Sequence, residues 1–193
     1  MIERVSFVTS NVNKLQQVKQ VLGEGIVYLE YEVPEYQSFY LGDIVEQKAY
    51  DAFRMFRRPV LVEDTSLSIN SVGGLPGPFV KHFLEKVGVE GILKMVNGVI
   101  DRKAYAQVMF GLHDGTTVST FNGVVLGEIA KYPIGENGFG FDSIFIPSGY
   151  TQTRAQMQGE EFDLTSPRVK ALRELKKALI KSTSGVKSTS GVA

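Results

Sequence analysis

The chain has no cysteine and no tryptophan, only two histidines, and no excess of either charge, since 21 basic residues are matched by 21 acidic ones over 193 positions. Each shortage removes a class of chemistry. Without cysteine there are no disulfides, no thiolate nucleophile and no zinc site built on sulfur. His82 and His113 lie too far apart in sequence to form a spaced pair of metal ligands. Zero net charge argues against a protein that coats nucleic acid, which needs a basic excess, and equally against an acidic or disordered tail protein. Residues 1–11 carry an acid and a polar run where a signal peptide needs an apolar core, and no window has the length of a membrane span. The expectation is a soluble, cytoplasmic protein with no nucleic-acid or membrane partner.

What remains is close to the globular average, at 43% hydrophobic and 22% charged, in a length suited to one domain that buries roughly 70% of its unfolded surface. Residues 4–10 read as a buried strand (Val5, Phe7, Val8), followed by a helix over 13–22 with Leu15, Val18 and Leu22 on one face. A second strand over 26–33 ends at Pro34. A helix over 43–56 carries Val45, Ala49, Ala52 and Phe53, and residues 60–62 form a short strand that runs into Glu63-Asp64. Two such alternations favour an α/β architecture. Residues 79–96 predict one or two helices broken near Gly88, residues 104–130 an antiparallel hairpin turning at His113-Asp114-Gly115-Thr116, and 144–146 a short strand. Ser166-Pro167 suits a helix start, with Val169, Leu172, Leu175 and Leu179 as the buried stripe. The domain is expected over 1–181. The repeat STSGV-K-STSGV over 182–193 has no apolar face and reads as a flexible tail.

Three polar clusters fall at element ends, where a scaffold can present side chains to a ligand. Thr9-Ser10-Asn11-Val12-Asn13-Lys14 joins strand to helix. Amide groups at a helix start plus the Lys14 charge suit a phosphate, while the same residues also suit an ordinary capped turn. Glu63-Asp64-Thr65-Ser66 offers carboxylates for a hard ion such as Mg²⁺, with Asp43 and Glu46 as further donors from the nearby helix. Neighbouring strand residues point to opposite faces, so Glu63 and Asp64 share a ligand only if the strand breaks there. In Gly135-Glu-Asn-Gly-Phe-Gly-Phe-Asp142, Phe139 and Phe141 flank Gly140 and either stack on a planar base or pack into the core. The loop Gly73-Gly74-Leu75-Pro76-Gly77-Pro78, with Lys81 after it, adds backbone surface and another cation.

Taken in order, Thr-x-Asn-x-x-Lys, Val-Glu-Asp-Thr-Ser-Leu, Gly-Gly-Leu-Pro-Gly-Pro-Phe-Val-Lys and Gly-Phe-Gly-Phe-Asp-Ser-Ile-Phe-Ile-Pro resemble the inosine triphosphate pyrophosphatase family from about Val5 to about Leu179. That resemblance implies an elongated α/β fold, its mixed sheet flanked by helices and divided into two lobes around a central substrate cleft, and a homodimer. It implies hydrolysis of noncanonical purine nucleoside triphosphates at the α–β anhydride, giving monophosphate and pyrophosphate with Mg²⁺.

By the same resemblance Thr9, Ser10, Asn11 and Lys14 hold the triphosphate, together with Thr65 and Lys81. Asp64 binds the metal beside Glu63 and orients or deprotonates water, and Lys14 joins it in catalysis. Asp43 takes the place of the family's helix glutamate, with Glu46 as the fallback. Phe139, Gly140 and Phe141 line the base pocket, with Asp142 and Arg168 near the base edge.

Two positions depart from the family pattern. Pro167 stands where the family has histidine and Phe162 where it has lysine. Losing donors to the base implies a pyrophosphohydrolase with weakened or shifted base preference. A nucleotide-binding or sensor protein that does not hydrolyse is the alternative, and the intact Asp64 argues against it.

Overall fold

The computed structural model describes residues 5–184. In chain order the elements are β1 (Ser6–Val8), α1 (Val12–Leu22), β2 (Val27–Leu29), α2 (Leu41–Phe56), β3 (Val60–Ile69), β4 (Pro76–Gly77), α3 (Val80–Met95), β5 (Lys103–His113), β6 (Val118–Ile129), β7 (Phe145–Pro147), α4 (Gly159–Leu164) and α5 (Pro167–Ser184). Six strands follow the order β2-β1-β3-β5-β6-β7, and β4 pairs with β3 to complete a seven-stranded sheet. The β1 strand runs parallel to β2 and β3, whereas every other pairing is antiparallel. The fold is the expected mixed α/β sheet flanked by helices.

The β3 strand organises the molecule. It pairs with β5 without a skipped residue, from Val60 opposite His113 to Ile69 opposite Ala104, so its side chains alternate strictly between faces. On one face, Leu61 joins Phe7, Phe110 and the buried stripes of α1 (Leu15, Val18, Leu22) and α5 (Leu172, Leu175, Leu179). Further along the same face, Leu67 and Ile69 join α3 (Val80, Ile92) and Ile144 and Phe145. Val60 and Val62 face the other way, onto Val45, Ala49 and Ala52 of α2. Each fully buried aliphatic side chain in these clusters contributes about 1.5–3 kcal/mol. Glu63 and Thr65 lie between the first two clusters, so the two lobes share one sheet and part at polar residues.

Several local expectations hold. The α3 helix breaks at Gly88, whose φ of 66° suits glycine, the hairpin turns at Asp114–Thr117, and Ser166 caps α5 by accepting the Val169 N–H. The start of α5 lies so close to β6 that a Cβ on Gly123 would fall 2.0 Å from the Pro167 carbonyl oxygen.

Two expectations need correction. The strand expected over 60–62 is ten residues long, because the polar residues that resemble a turn continue an extended ladder. The α5 helix passes the expected boundary at Lys181 and runs to Ser184. The rest of the expected tail lies outside the described residues.

Candidate active site

The site begins with a gap in the sheet. Along one edge of β3 the β1 pairing ends at Leu61 and the β4 pairing resumes at Leu67. Between them, among the described strands, β3 is paired only with β5. The turn from β1 into α1 enters this gap. A cleft of about 540 Å³ opens there, a size ordinary for a small-molecule site. The turn and β3 line it with Thr9, Ser10, Asn11, Lys14, Glu63, Asp64 and Thr65, and α3 contributes Lys81. The loop after β6 and the start of α5 contribute Phe139, Gly140, Phe141, Asp142 and Arg168. Asp43 and Glu46 are not among the lining residues.

The turn is locally self-satisfied. Thr9 Oγ1 accepts the Asn11 N–H at 3.1 Å, and Asn11 Oδ1 accepts the N–H groups of Asn13 and Lys14 at 3.0 and 3.2 Å. Asn11 is therefore the helix N-cap. An anion here meets Lys14 and side-chain donors rather than those two amides.

Glu63 turns toward α1 and α5. Lys14 Nζ lies 3.1 Å from its carboxylate, and Arg168 grips it with Nε at 2.6 Å and Nη2 at 2.9 Å. Thr65 Oγ1 donates a further hydrogen bond at 3.2 Å. Burial opposes ionisation of Glu63, but Arg168 and Lys14 outweigh it and bring the pKa to about 2. Glu63 was expected to help hold a metal beside Asp64, and the structure does not bring the two carboxylates together. Glu63 has its oxygens engaged by two cations and faces away from Asp64 because β3 does not break. Arg168, expected beside the base edge, is primarily the clamp on Glu63, and its remaining arm donates to Gln17 Oε1 at 2.6 Å.

Asp64 turns toward α2. It is buried, and Oδ1 accepts the Thr65 N–H at 2.9 Å. Burial pushes its carboxyl above the usual aspartate range; Lys48 and Lys14 draw it back, and Glu35 adds to the upward push. Glu35 and Lys48 both line the cleft and pair at 2.9 Å, with 29% of the Glu35 side chain exposed. Burial raises the Glu35 carboxyl, and the Lys48 charge and hydrogen bond more than reverse this.

Glu35 was not anticipated. It sits between β2 and α2 in a stretch with no periodicity, and its only sequence mark is the preceding Pro34. Asp43 and Glu46, expected as metal donors, are not brought to the cleft: both are exposed and Asp43 accepts a hydrogen bond from Ser38 at 2.8 Å. Among the described residues no three carboxylate or imidazole groups gather at one point. Two hard oxygen donors, Asp64 and Glu35, do fit Mg²⁺, which takes one or two carboxylates and completes its octahedron with water and phosphate.

The far wall is aromatic and cationic. Phe139 is half-buried beneath the Arg168 guanidinium, 5.2 Å from the ring centroid. Phe141 lines the cleft yet packs edge-on to Phe145 in the core. Phe141 thus follows the core-packing reading of the glycine loop, while Phe139 stays half-buried at the cleft against Arg168. Asp142 Oδ2 accepts the Phe139 N–H at 3.0 Å, and Oδ1 accepts Arg154 Nε at 2.8 Å. Gly138, at φ 75°, leaves room for this contact, since a Cβ there would sit 2.2 Å from Asp142 Oδ2. Arg154, also absent from the sequence reading, is held in a single helical turn bounded by a Thr153–Gln156 capping box. Across the cleft Lys81 is ion-paired with Glu32, and hydrogen bonding to that partner raises the lysine pKa and lowers that of the glutamate.

Comparison with known proteins adds relatives to this geometry. The model of the Ham1 family matches residues 5–178. Inosine triphosphate pyrophosphatase 2 of Trypanosoma cruzi is 43% identical over 178 residues, covering 90% of each chain. The dITP/XTP pyrophosphatase of Hyperthermus butylicus is 36% identical over 170 residues, covering 86% of this chain and 90% of that one. Among solved structures, a HAM1 protein from Coxiella burnetii superposes with a TM-score of 0.80 at 26% identity, covering 92% of this chain and 99% of the other.

Proposed function

This chain belongs to the Ham1 family, and on that premise we propose that it hydrolyses noncanonical purine nucleoside triphosphates, such as those of inosine and xanthosine, to the monophosphate and pyrophosphate. The observation that carries this reading is one cleft in which Lys14, the Asp64 carboxylate and the half-buried Phe139 ring meet. Phosphate, water and base each find a matching group there.

Lys14 supplies the fixed charge for the triphosphate, with Thr9, Ser10, Asn11 and Thr65 as hydrogen-bonding partners. Glu63 positions Lys14, through the 3.1 Å contact, rather than touching substrate. Lys81 reaches a phosphate oxygen by leaving Glu32. Asp64, ionised above its raised pKa, orients the attacking water and takes its proton, which is general-base catalysis. Asp64 and Glu35 would hold Mg²⁺, with Lys48 steadying Glu35. An ion held there would supply positive charge to offset the negative charge developing on the phosphates. Phe139 offers its face to the base, with Phe141 behind it, and stacking of this kind tolerates any purine.

The reading places the protein in the cytoplasm as a homodimer, within one catalytic unit spanning the sheet. Sedimentation at micromolar concentration tests the dimer. The function itself is tested by pyrophosphate release from a panel of ordinary and noncanonical triphosphates with Mg²⁺. Thermal stabilisation by those nucleotides without any release would instead mark a binding protein.

A further inference from the structure

Arg154 is 3% exposed, yet it lines the cleft beside Phe139, Phe141, Asp142 and Pro167. Its side chain is fixed from several directions. Nε donates to Asp142 Oδ1 at 2.8 Å, and Nη1 donates to the Phe162 carbonyl at 3.0 Å and to Thr165 Oγ1 at 2.8 Å. The Phe162 ring supports the guanidinium from one face, 4.2 Å from Cζ to the centroid. Arginine has five N–H donors. Nε and Nη1 account for three, and the two on Nη2 have no hydrogen-bond partner among the described residues. This pair of donors is held in place by the rest of the side chain and is not fully enclosed, and the open space that Arg154 lines is the cleft.

The neighbouring residues sharpen what these donors meet. Phe162 offers a ring and no donor, and Pro167 at the start of α5 has no N–H. Arg154 Nη2 is therefore a guanidinium nitrogen at this wall without a protein partner among the described residues, whereas each nitrogen of Arg168 has one, on Glu63 or Gln17. A purine with a 6-oxo group presents an acceptor on this kind of edge, whereas adenine presents an N6 amino donor in the same place. A fixed donor favours the first and repels the second, and built hydrogen-bonding sites of this sort discriminate far better than apolar pockets.

We propose that Arg154 determines base specificity by donating from Nη2 to the 6-oxo oxygen of the purine. This rests on the pyrophosphatase reading above. It also reverses the expectation from Phe162 and Pro167, because the donor missing from those positions is supplied by a guanidinium that Phe162 itself supports.

The test compares inosine triphosphate with purine riboside triphosphate, which has hydrogen in place of the 6-oxo group, in the wild-type chain and in R154K and R154M. R154K retains a cation against Asp142, and thermal unfolding checks that each variant folds. The wild-type chain should favour inosine triphosphate about 30-fold in kcat/KM. In the variants that ratio should fall below about threefold, with purine riboside triphosphate turned over nearly as before. Equal kcat/KM for the two nucleotides in the wild-type chain overturns the proposal, whether or not the variants fold. A ratio that is the same in a folded variant and the wild type also overturns it. Failure of the wild-type chain to release pyrophosphate from either nucleotide contradicts the pyrophosphatase reading instead. The same ratio is then read from dissociation constants, with the same two outcomes for Arg154.

Discussion

Glu63 and Asp64 are consecutive residues of β3 whose carboxyls face opposite sides of the sheet and are displaced in opposite directions. Glu63 meets Lys14 and Arg168 and is held near pKa 2. Asp64, on the α2 side, is pushed upward by burial. One strand thus carries a carboxylate fixed in its charged form next to one whose charge the fold tolerates poorly. The first is suited to positioning and the second to taking a proton.

Asp64→Asn tests the second role. The folded pKa of Asp64 is raised, so the protonated form is the one the fold favours, and the ionised carboxylate lowers stability as pH rises through that pKa. The amide should therefore leave the unfolding temperature unchanged or higher at neutral pH, while turnover falls about 10³-fold or more, as expected on losing a general base. Pyrophosphate release and a thermal melt on the same preparation check both.

Glu63→Gln should behave in the opposite sense. It leaves Lys14 and Arg168 facing each other without their carboxylate, a loss of about 3–5 kcal/mol for a broken buried pair. Because the folded pKa of Glu63 is depressed, its contribution to stability is complete above the unfolded value of 4.5 and is lost as pH falls toward about 2. Urea unfolding between those limits should show a steeper pH dependence for the wild-type chain than for the variant.

Glu35→Gln should raise the Mg²⁺ concentration needed for half-maximal activity at least about tenfold, whereas Asp43→Asn and Glu46→Gln should change it less than about twofold. Metal titrations of the three variants separate the carboxylate beside Lys48 from the exposed pair on α2.

Lys81 is ion-paired with Glu32, so the proposed phosphate role of Lys81 has Glu32 as a competitor. Glu32→Gln should lower KM about two- to fivefold with little change in kcat, the signature of an altered ground-state interaction. Lys81→Met should raise KM. Steady-state kinetics at low and moderate salt distinguish this from a general surface-charge effect, which salt would screen.

The parts that were legible in the sequence are those with local rules. Ser166-Pro167 starts α5, Gly88 breaks α3, and Asp114-Gly115 turns the hairpin because capping and turn chemistry involve only near neighbours. The three polar clusters were legible as places, and Thr9, Asn11, Lys14, Asp64 and Phe139 all line one cleft. Partners were not legible. Glu63 resembles its neighbour until Arg168, 105 residues away, is seen to grip it. Glu35 lies in a segment without period, and its meaning comes from Lys48 on another element. Polar residues also hid most of β3, because an edge bordering a cleft does not show the apolar run of a central strand. Arg154 had the faint signal of a Thr-x-x-Gln box, which fixes a turn without revealing which side chain faces the ligand.

The central claim is cleavage of the α–β anhydride by this cleft. Purified protein incubated with inosine triphosphate and Mg²⁺, with all phosphorus products resolved by chromatography, tests it most directly. The account predicts inosine monophosphate and pyrophosphate in equal amounts, abolished by Asp64→Asn. Inosine diphosphate with orthophosphate, or no product from a nucleotide that demonstrably binds, would contradict it.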